Sequence, residues 1–170
     1  MNKSRREFLA GSAWMGVAAV AAGCIGERMS LGFGTGAPMH GFRAEPMKRI
    51  RVGVIGIGAR GTSAVKRLVQ IPGVELTAVC DINPKRLDLV RAWLKEKGYP
   101  TVREFGKSED DWKGLAEWDG VDVVYSCAPR AIHAPINVHS MAAGKHVMQE
   151  VPGVFDIDEC WQTVEAAEKY

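Results

Sequence analysis

The residues from Ile50 to Asp81 form one continuous pattern that limits the folds open to this chain. An apolar strand, Ile50 to Ile55, leads into Gly-Ile-Gly-Ala-Arg-Gly at positions 56–61, then an amphipathic helix and a second strand that ends on Asp81. A G-x-G-x-x-G alone is a weak signal, but here strand, helix and acid stand in the order that a dinucleotide-binding βαβ unit requires. We therefore predict an α/β fold, a Rossmann-type doubly wound parallel sheet.

Each glycine of this motif has a physical role in such a unit. Gly56 permits the tight turn out of the strand, Gly58 lets a pyrophosphate approach the backbone, and Gly61 lets the helix pack closely on the sheet. The helix start offers free N–H groups and a partial positive charge to the phosphates. Asp81 can accept hydrogen bonds from the adenosine ribose, and its charge would repel a 2′-phosphate. The pattern therefore predicts NAD as cofactor, although Arg60 is placed to hold a 2′-phosphate and points towards NADP.

Composition and charge argue against several other classes. Of the 170 residues 46% are hydrophobic and 25% are charged, and the formal net charge is +2, which is ordinary for a globular protein. No basic surface for nucleic acid is indicated. The cysteines lack C-x-x-C spacing, and no pair among the histidines has the spacing and acidic neighbour of a metal site. We expect no metal and no disulfide framework, with Cys80 and Cys127 as free thiols.

The first 47 residues indicate a targeting segment and a linker. Residues 4–9, Ser-Arg-Arg-Glu-Phe-Leu, resemble the twin-arginine export motif and precede a weakly apolar run, so we assign residues 1–30 to a signal peptide. We expect export by the twin-arginine route to the periplasm. A loose lipoprotein box ends at Cys24, which leaves a lipid anchor there as an open alternative. Residues 31–47, rich in Gly, Pro and Met, are assigned to a linker, and residues 48–170 to the folded domain.

The rest of the chain alternates helix and strand patterns. We predict helices over about 85–98, 134–143 and 156–169, and a further helix that starts within residues 106–112 with Ser108 as its cap. We predict strands near 101–105, over 121–126 and over 145–150. The last of these helices carries an apolar stripe formed by Ile157, Cys160, Val164 and Ala167.

Four of the predicted strand ends carry candidate binding residues. They are the glycine motif, Asp81, the loop from Pro129 to His133, and the pair Glu150-Val151. The carboxyl ends of parallel strands face one edge of a sheet, where ligands bind in open α/β folds. We therefore expect these residues to surround one cleft.

With these motifs the chain resembles the Gfo/Idh/MocA oxidoreductases from about Lys48 to its end. The shared features are the glycine motif, Asp81, Pro-x-x-x-His at 129–133 and Gly-Lys-His-Val at 144–147. The resemblance implies an NAD(P)-binding domain, incomplete here, and a second α/β domain that is missing from this chain. The family usually has Glu-Lys-Pro where this chain has Glu150-Val151-Pro152, and valine cannot donate a proton.

A narrower resemblance is to the glycoside hydrolase family 109 branch, the NAD-dependent α-N-acetylgalactosaminidases. It rests on Glu-Val-Pro, on Gly-Lys-x-Glu-x-Asp-Trp from Gly106 and on Glu159-Cys160-Trp161. It implies hydrolysis by transient oxidation at carbon 3 of the sugar, elimination, addition of water and re-reduction. Beside the three glycines, it implies cofactor contacts from Ala59, Arg60, Asp81, Arg130, Ala131, Ile132, His133, Glu150 and Val151. Arg130 departs from the branch, which usually has an aromatic residue there.

The resemblance assigns no catalytic residue within this chain, because the substrate pocket and the acid and base belong to the missing domain. A carbohydrate substrate would bind through that domain. Two other functions stay open: a secreted NAD(P)-dependent sugar or cyclitol dehydrogenase, and a non-catalytic nucleotide-binding module. Assembly into a homo-oligomer also stays open, and we expect no nucleic-acid partner.

Overall fold

The computed structural model describes Met39 and residues 41–170 of the chain. The predicted signal peptide, Cys24 and most of the predicted linker therefore lie outside the described residues. Within the described part, no helix is both long and apolar enough to cross a membrane.

Strands and helices alternate along this part of the chain, in the order that the sequence predicted. The strands are β1 (Ile50–Ile55), β2 (Val74–Cys80), β3 (Arg103–Phe105), β4 (Val123–Ser126) and β5 (His146–Gln149). The helices are α1 (Ala59–Leu68), α2 (Pro84–Glu96), α3 (Asp111–Glu117), α4 (His133–Ala142) and α5 (Ile157–Lys169), with a 3₁₀ turn at Arg130–Ile132 before α4.

The five strands form one parallel sheet in the order β3-β2-β1-β4-β5. The prediction of a doubly wound parallel sheet is confirmed. The chain first builds outward from β1 through β2 to β3, and then crosses to β4 on the other side of β1. This reversal opens a crevice beyond the carboxyl ends of β1 and β4, the place where open α/β sheets bind their ligands.

Two apolar layers cover the sheet because alternate strand residues point to opposite faces. One layer packs strand residues such as Val52 and Val54 against α1 and α2, through Val65, Leu68, Leu87, Val90 and Leu94. The other packs Ile55, Ala78 and Val124 against α3 and α4, through Trp112, Leu115, Ala116 and Ile136. The crevice is therefore bounded on both sides by helices that are fixed to the sheet.

The structure corrects two of the predictions about helices. Ser108 does not cap α3: the residue before this helix is Asp110, and it makes no side-chain cap. The loop is held instead by Asp111, whose carboxylate accepts a hydrogen bond from the Lys107 N–H at 2.9 Å. The helix predicted to begin at 134 begins at His133, because the preceding 3₁₀ turn leads straight into it.

Most of the apolar stripe on α5 is exposed. Ile157 is 66% and Val164 45% exposed, Cys160 is exposed, and Ala166 is the residue of this helix that is buried. The helix packs mainly against α4 rather than against the sheet. The apolar period correctly predicts a helix, but it does not determine which neighbouring element packs against the apolar face.

Candidate functional site

The glycine motif forms a tight turn between β1 and α1. Gly56 has a φ of 83°, which favours glycine, and a side chain there would lie 2.7 Å from the backbone nitrogen of Ala128. A Cβ at Gly61 would lie 1.8 Å from the carbonyl oxygen of Gly56, so only glycine lets α1 start this close to the strand. The motif therefore presses the first turn of α1 against the end of β1.

Gly58, the second glycine of the motif, leaves an open cradle in front of α1. It precedes the helix in extended backbone, and a Cβ there would meet only the guanidinium of Arg86, at 3.6 Å. The first turn of α1 has no acidic side chain and no side-chain cap. Its N–H groups and the helix dipole are therefore presented to an anion, which fits the pyrophosphate of a dinucleotide.

Asp81 joins this cradle to the start of α2. Its carboxylate accepts hydrogen bonds from the Ile57 N–H at 2.9 Å and from the Asn83 N–H at 2.8 Å. The Arg86 guanidinium donates a third, longer bond of 3.3 Å, and the Asp81 side chain is only 3% exposed. The predicted proximity of the acid to the glycine motif is therefore observed.

Sequence reasoning missed Arg86. A signal was present, because Arg86 stands in the first turn of α2, where the positive helix end disfavours a cation. The partner of Arg86 is Asp81, at the end of the preceding strand.

A cleft of about 440 Å³ lies at the carboxyl ends of β1, β2 and β4. Six of the predicted residues line it: Gly56, Gly58, Ala59, Arg60, Asp81 and Ile132. The lining also includes residues that were not predicted as cofactor contacts, among them Ile82, Arg86, Glu109, Trp112, Cys127 and Ala128. The expectation of one shared cleft therefore holds for the glycine motif, Asp81 and part of the loop after β4.

The remaining predicted residues lie beside this cleft rather than in its lining. Gly61 lies behind the cradle, where a Cβ on this residue would meet the backbone of Gly56. The Arg130 guanidinium stacks on the ring of Phe155, 3.7 Å from its centroid. Ala131 is exposed on the 3₁₀ turn, and Val151 is 82% exposed after the end of β5.

His133 connects the loops that follow β4 and β5. Its ring is 2% exposed. Nε2 lies 2.8 Å from the carbonyl oxygen of Ala128, and Nδ1 lies 3.1 Å and 3.0 Å from those of Pro152 and Gly153. The ring therefore holds together the two loops on this side of the crevice.

Glu150 is held at the end of β5 by Tyr125. The Tyr125 hydroxyl donates a 2.7 Å hydrogen bond to Oε1 of Glu150. This bond lowers the pKa of Glu150, and the charges of Arg60 and Arg67 lower it further. Burial, followed by the bond to Glu150, raises the pKa of Tyr125 to about 12. At neutral pH the pair is therefore a neutral phenol that donates to a carboxylate.

The two cysteines near the crevice are not poised for chemistry. Cys80, Cys127 and Cys160 are free thiols. Burial raises the pKa of Cys80 to about 12 and that of Cys127 to about 11, so both stay protonated at neutral pH. Within the described residues, no three His, Cys, Asp or Glu side chains are grouped to hold a metal ion.

Comparison with known proteins agrees with this geometry. Residues 50–170 match the Gfo/Idh/MocA family model, an oxidoreductase family with an NAD-binding Rossmann fold. The chain is 39% identical over 123 residues to a glycosyl hydrolase family 109 protein of Bacteroides thetaiotaomicron, covering 72% of this chain and 26% of the relative. It is 39% identical over 129 residues to an alpha-N-acetylgalactosaminidase of Bacteroides fragilis, covering 76% of this chain and 30% of that protein.

A solved structure gives the same result for the fold. The crystal structure of scyllo-inositol dehydrogenase from Lactobacillus casei, with bound NAD(H) and scyllo-inositol, superposes with a TM-score of 0.60 at 26% identity, covering 70% of this chain and 33% of that one. The chain thus spans 26% to 33% of the length of these three proteins. It belongs to the Gfo/Idh/MocA oxidoreductase family, whose Rossmann fold binds NAD.

Proposed function

We propose that this chain is the NAD-binding part of an enzyme that hydrolyses α-N-acetylgalactosaminides. The observation that carries the proposal is the Glu150-Val151 pair at the end of β5, beside a dinucleotide cradle. Family members that act as dehydrogenases usually have a lysine at the position of Val151, as the resemblance implies. An exposed valine can neither donate a proton nor stabilise an alkoxide. The relatives named glycosyl hydrolase family 109 and alpha-N-acetylgalactosaminidase support the same reading.

The residues of this chain would bind and orient the cofactor. The N-terminus of α1 would hold the pyrophosphate, Asp81 the adenosine ribose, and Glu150 would stand near the nicotinamide end. When bound, NAD would supply a reversible hydride acceptor for carbon 3 of the sugar, so that hydrolysis consumes no cofactor. Tyr125 fixes the Glu150 carboxylate, and His133 fixes the loops that flank it.

An assay on the natural full-length protein tests this proposal. We expect release of nitrophenol from p-nitrophenyl α-N-acetylgalactosaminide without net gain in NADH absorbance at 340 nm. Accumulation of NADH with free sugars or cyclitols, and no nitrophenol, would instead favour the dehydrogenase alternative. Binding of NAD without turnover of either kind would favour a non-catalytic module.

We also propose that the protein is exported to the periplasm by the twin-arginine route. The support is the Arg5-Arg6 pair, followed by Phe8-Leu9 and a weakly apolar run. Replacing both arginines by lysine should keep the protein in the cytoplasmic fraction. A lipid anchor at Cys24 is the alternative to a free periplasmic form, and radiolabelled palmitate that enters the wild type but not Cys24→Ala would demonstrate it.

A further inference from the structure

His133 has hydrogen-bond acceptors at both of its ring nitrogens. Nε2 lies 2.8 Å from the carbonyl oxygen of Ala128, and Nδ1 lies 3.1 Å and 3.0 Å from those of Pro152 and Gly153. A neutral imidazole has one N–H, so it donates on one side of the ring and directs a lone pair at a carbonyl oxygen on the other. The imidazolium form has two N–H groups and can donate on both sides at once.

Burial makes the choice between these two forms matter. The ring is 2% exposed, so water cannot separate a bare ring nitrogen from the carbonyl oxygen that it faces. A buried polar atom without a partner costs free energy comparable with a lost hydrogen bond. Loss of one proton from the ring should therefore release one of the two loops that the ring now joins.

Both of these loops belong to the candidate site. Ala128 lines the 440 Å³ cleft, and its backbone nitrogen lies 2.7 Å from where a side chain at Gly56 would start. On the other side of the ring, Pro152 and Gly153 directly follow the Glu150-Val151 pair that is predicted to flank the nicotinamide. The ring therefore fixes the position of the loop after β5 relative to the glycine turn.

The charged and titratable side chains on the elements around His133 have other partners. They are Tyr125 with Glu150, Arg130 over the Phe155 ring, Asp156 and Glu159 in the cap of α5, and His139 with Glu117. In the described part of the chain, no charged side chain makes a hydrogen bond or ion pair with the His133 ring. Burial raises the pKa of Tyr125 to about 12 and that of Cys127 to about 11, and the bond from Tyr125 lowers that of Glu150. These three neighbours therefore keep their charge states around neutral pH.

We propose that His133 is a positioning residue whose protonation joins the loop after β4 to the loop after β5, and that NAD⁺ binding therefore depends on pH. Histidine is the side chain whose charge changes between about pH 5 and pH 8. At the acidic end of this range the imidazolium holds both loops. As the pH rises through the range one end of the connection is lost, and the cofactor affinity that depends on it is lost as well. This inference rests on the proposed cofactor site and not on the hydrolysis reaction.

Calorimetric titration of the natural full-length protein with NAD⁺ at about pH 5.5 and about pH 8.5 tests the proposal. Wild-type affinity should fall roughly three- to thirtyfold as the pH rises, the range expected for one lost hydrogen bond. His133→Gln should show no such fall, because its amide donates a hydrogen bond without titrating. His139→Gln is the matched control: His139 lies on the same helix but pairs with Glu117, so this variant should keep the wild-type dependence on pH.

Hydrogen–deuterium exchange of the same proteins without cofactor measures the opening of the two loops. After correction for the intrinsic effect of pH on exchange, peptides that cover residues 127–133 and 150–155 should open more at about pH 8.5 than at about pH 5.5 in the wild type and in His139→Gln, but not in His133→Gln.

A wild type whose NAD⁺ affinity and loop exchange both stay constant over this range would overturn the role of His133, and this result requires no variant to fold. The same dependence on pH in the wild type and in His133→Gln would also overturn it. A wild type that binds no NAD⁺ at either pH would overturn the cofactor site instead, and loop exchange would then decide alone whether protonation of His133 joins the loops.

Discussion

Tyr125 on β4 and Glu150, the residue directly after the neighbouring strand β5, are joined by a 2.7 Å hydrogen bond at the carboxyl edge of the sheet. The backbone repeats this connection, because the Glu150 N–H donates to the carbonyl oxygen of Ser126 at 2.9 Å. Main chain and side chain of Glu150 are thus both fixed to β4. Val151, at the position where the family resemblance implies a lysine, follows directly after this anchored carboxylate.

Tyr125→Phe should therefore weaken NAD binding. The substitution keeps the ring and its packing but removes the donor, so the Glu150 carboxylate is no longer oriented towards the crevice. We expect the dissociation constant for NAD⁺ to rise roughly three- to tenfold, the usual effect of one hydrogen bond. Calorimetry on the full-length protein measures it, with the exposed Tyr170→Phe as control. Equal affinities in wild type and Tyr125→Phe would show that the bond does not position the site.

The same pair predicts an alkaline titration. The pKa of Tyr125, at about 12, is raised above its ordinary value of 10.0 by burial and by Glu150. A raised pKa means that its contribution to stability is complete below pH 10 and is lost as the pH rises towards 12. Absorbance at 295 nm should show one tyrosine ionising late, and this transition should vanish in Tyr125→Phe. An unchanged curve in the variant would assign the late transition to another tyrosine.

Two glycines of the motif should respond differently to alanine. Gly61→Ala should lower the melting temperature sharply, because its Cβ would meet the Gly56 carbonyl oxygen at 1.8 Å. Gly58→Ala should fold normally, since its Cβ meets only the movable Arg86 side chain at 3.6 Å. It should nevertheless lose most NAD⁺ affinity, because the methyl group occupies the place of the pyrophosphate.

Calorimetry and thermal melts on the two variants separate these effects. Gly58→Ala serves as the control for the stability of Gly61→Ala, because each substitution adds one methyl group to the same motif and only Gly58→Ala should fold normally. A Gly58→Ala protein that binds NAD⁺ as tightly as the wild type would mean that the pyrophosphate lies elsewhere.

The ion pair of Arg51 and Asp122 should make the free energy of unfolding depend on pH in the acidic range. The Arg51 backbone N–H and side-chain Nε both donate to Oδ2 of Asp122, at 2.8 Å and 3.0 Å. The side-chain bond from Arg51 is the main cause that lowers the pKa of Asp122 below 3.8. Because the pKa of Asp122 is lower in the folded state, its ionised carboxylate stabilises the fold at pH values above 3.8. This stabilisation is lost as the pH falls through the folded-state pKa.

Asp122→Asn should therefore destabilise the protein at pH 7 by about 1 kcal/mol, once solvent screening of the half-exposed Arg51 is allowed for. The difference from wild type should shrink below pH 3.8, where the wild-type carboxylate also becomes protonated. Urea unfolding at pH 7 and at low pH measures both values, with Asp119→Asn as an exposed control. A loss of unfolding free energy in Asp122→Asn that does not change with pH would indicate lost packing rather than lost charge.

Local pattern was sufficient to predict much of the fold, and six of the twelve residues predicted as cofactor contacts line one cleft. The strand–glycine–helix–strand order up to Asp81 places the cradle and the acid together, because a βαβ unit has one compact arrangement. The helix predicted from residue 85 begins at Pro84, where the Asn83 side chain caps it by accepting a hydrogen bond from the Lys85 N–H at 3.0 Å. The face of α5 was not predictable, because its apolar period is compatible with packing on a sheet, on a helix or on another domain.

The sequence by itself determined the parallel α/β order, the glycine turn and the acid that lies against it, because these depend on backbone geometry and on short-range spacing. Only the tertiary structure decided which side chains meet across that frame: Arg86 on Asp81, Tyr125 on Glu150, and His133 between two loops. These contacts join residues whose side-chain directions follow from packing around the whole sheet. Spacing along the chain carries no information about such directions when the partners lie on different elements.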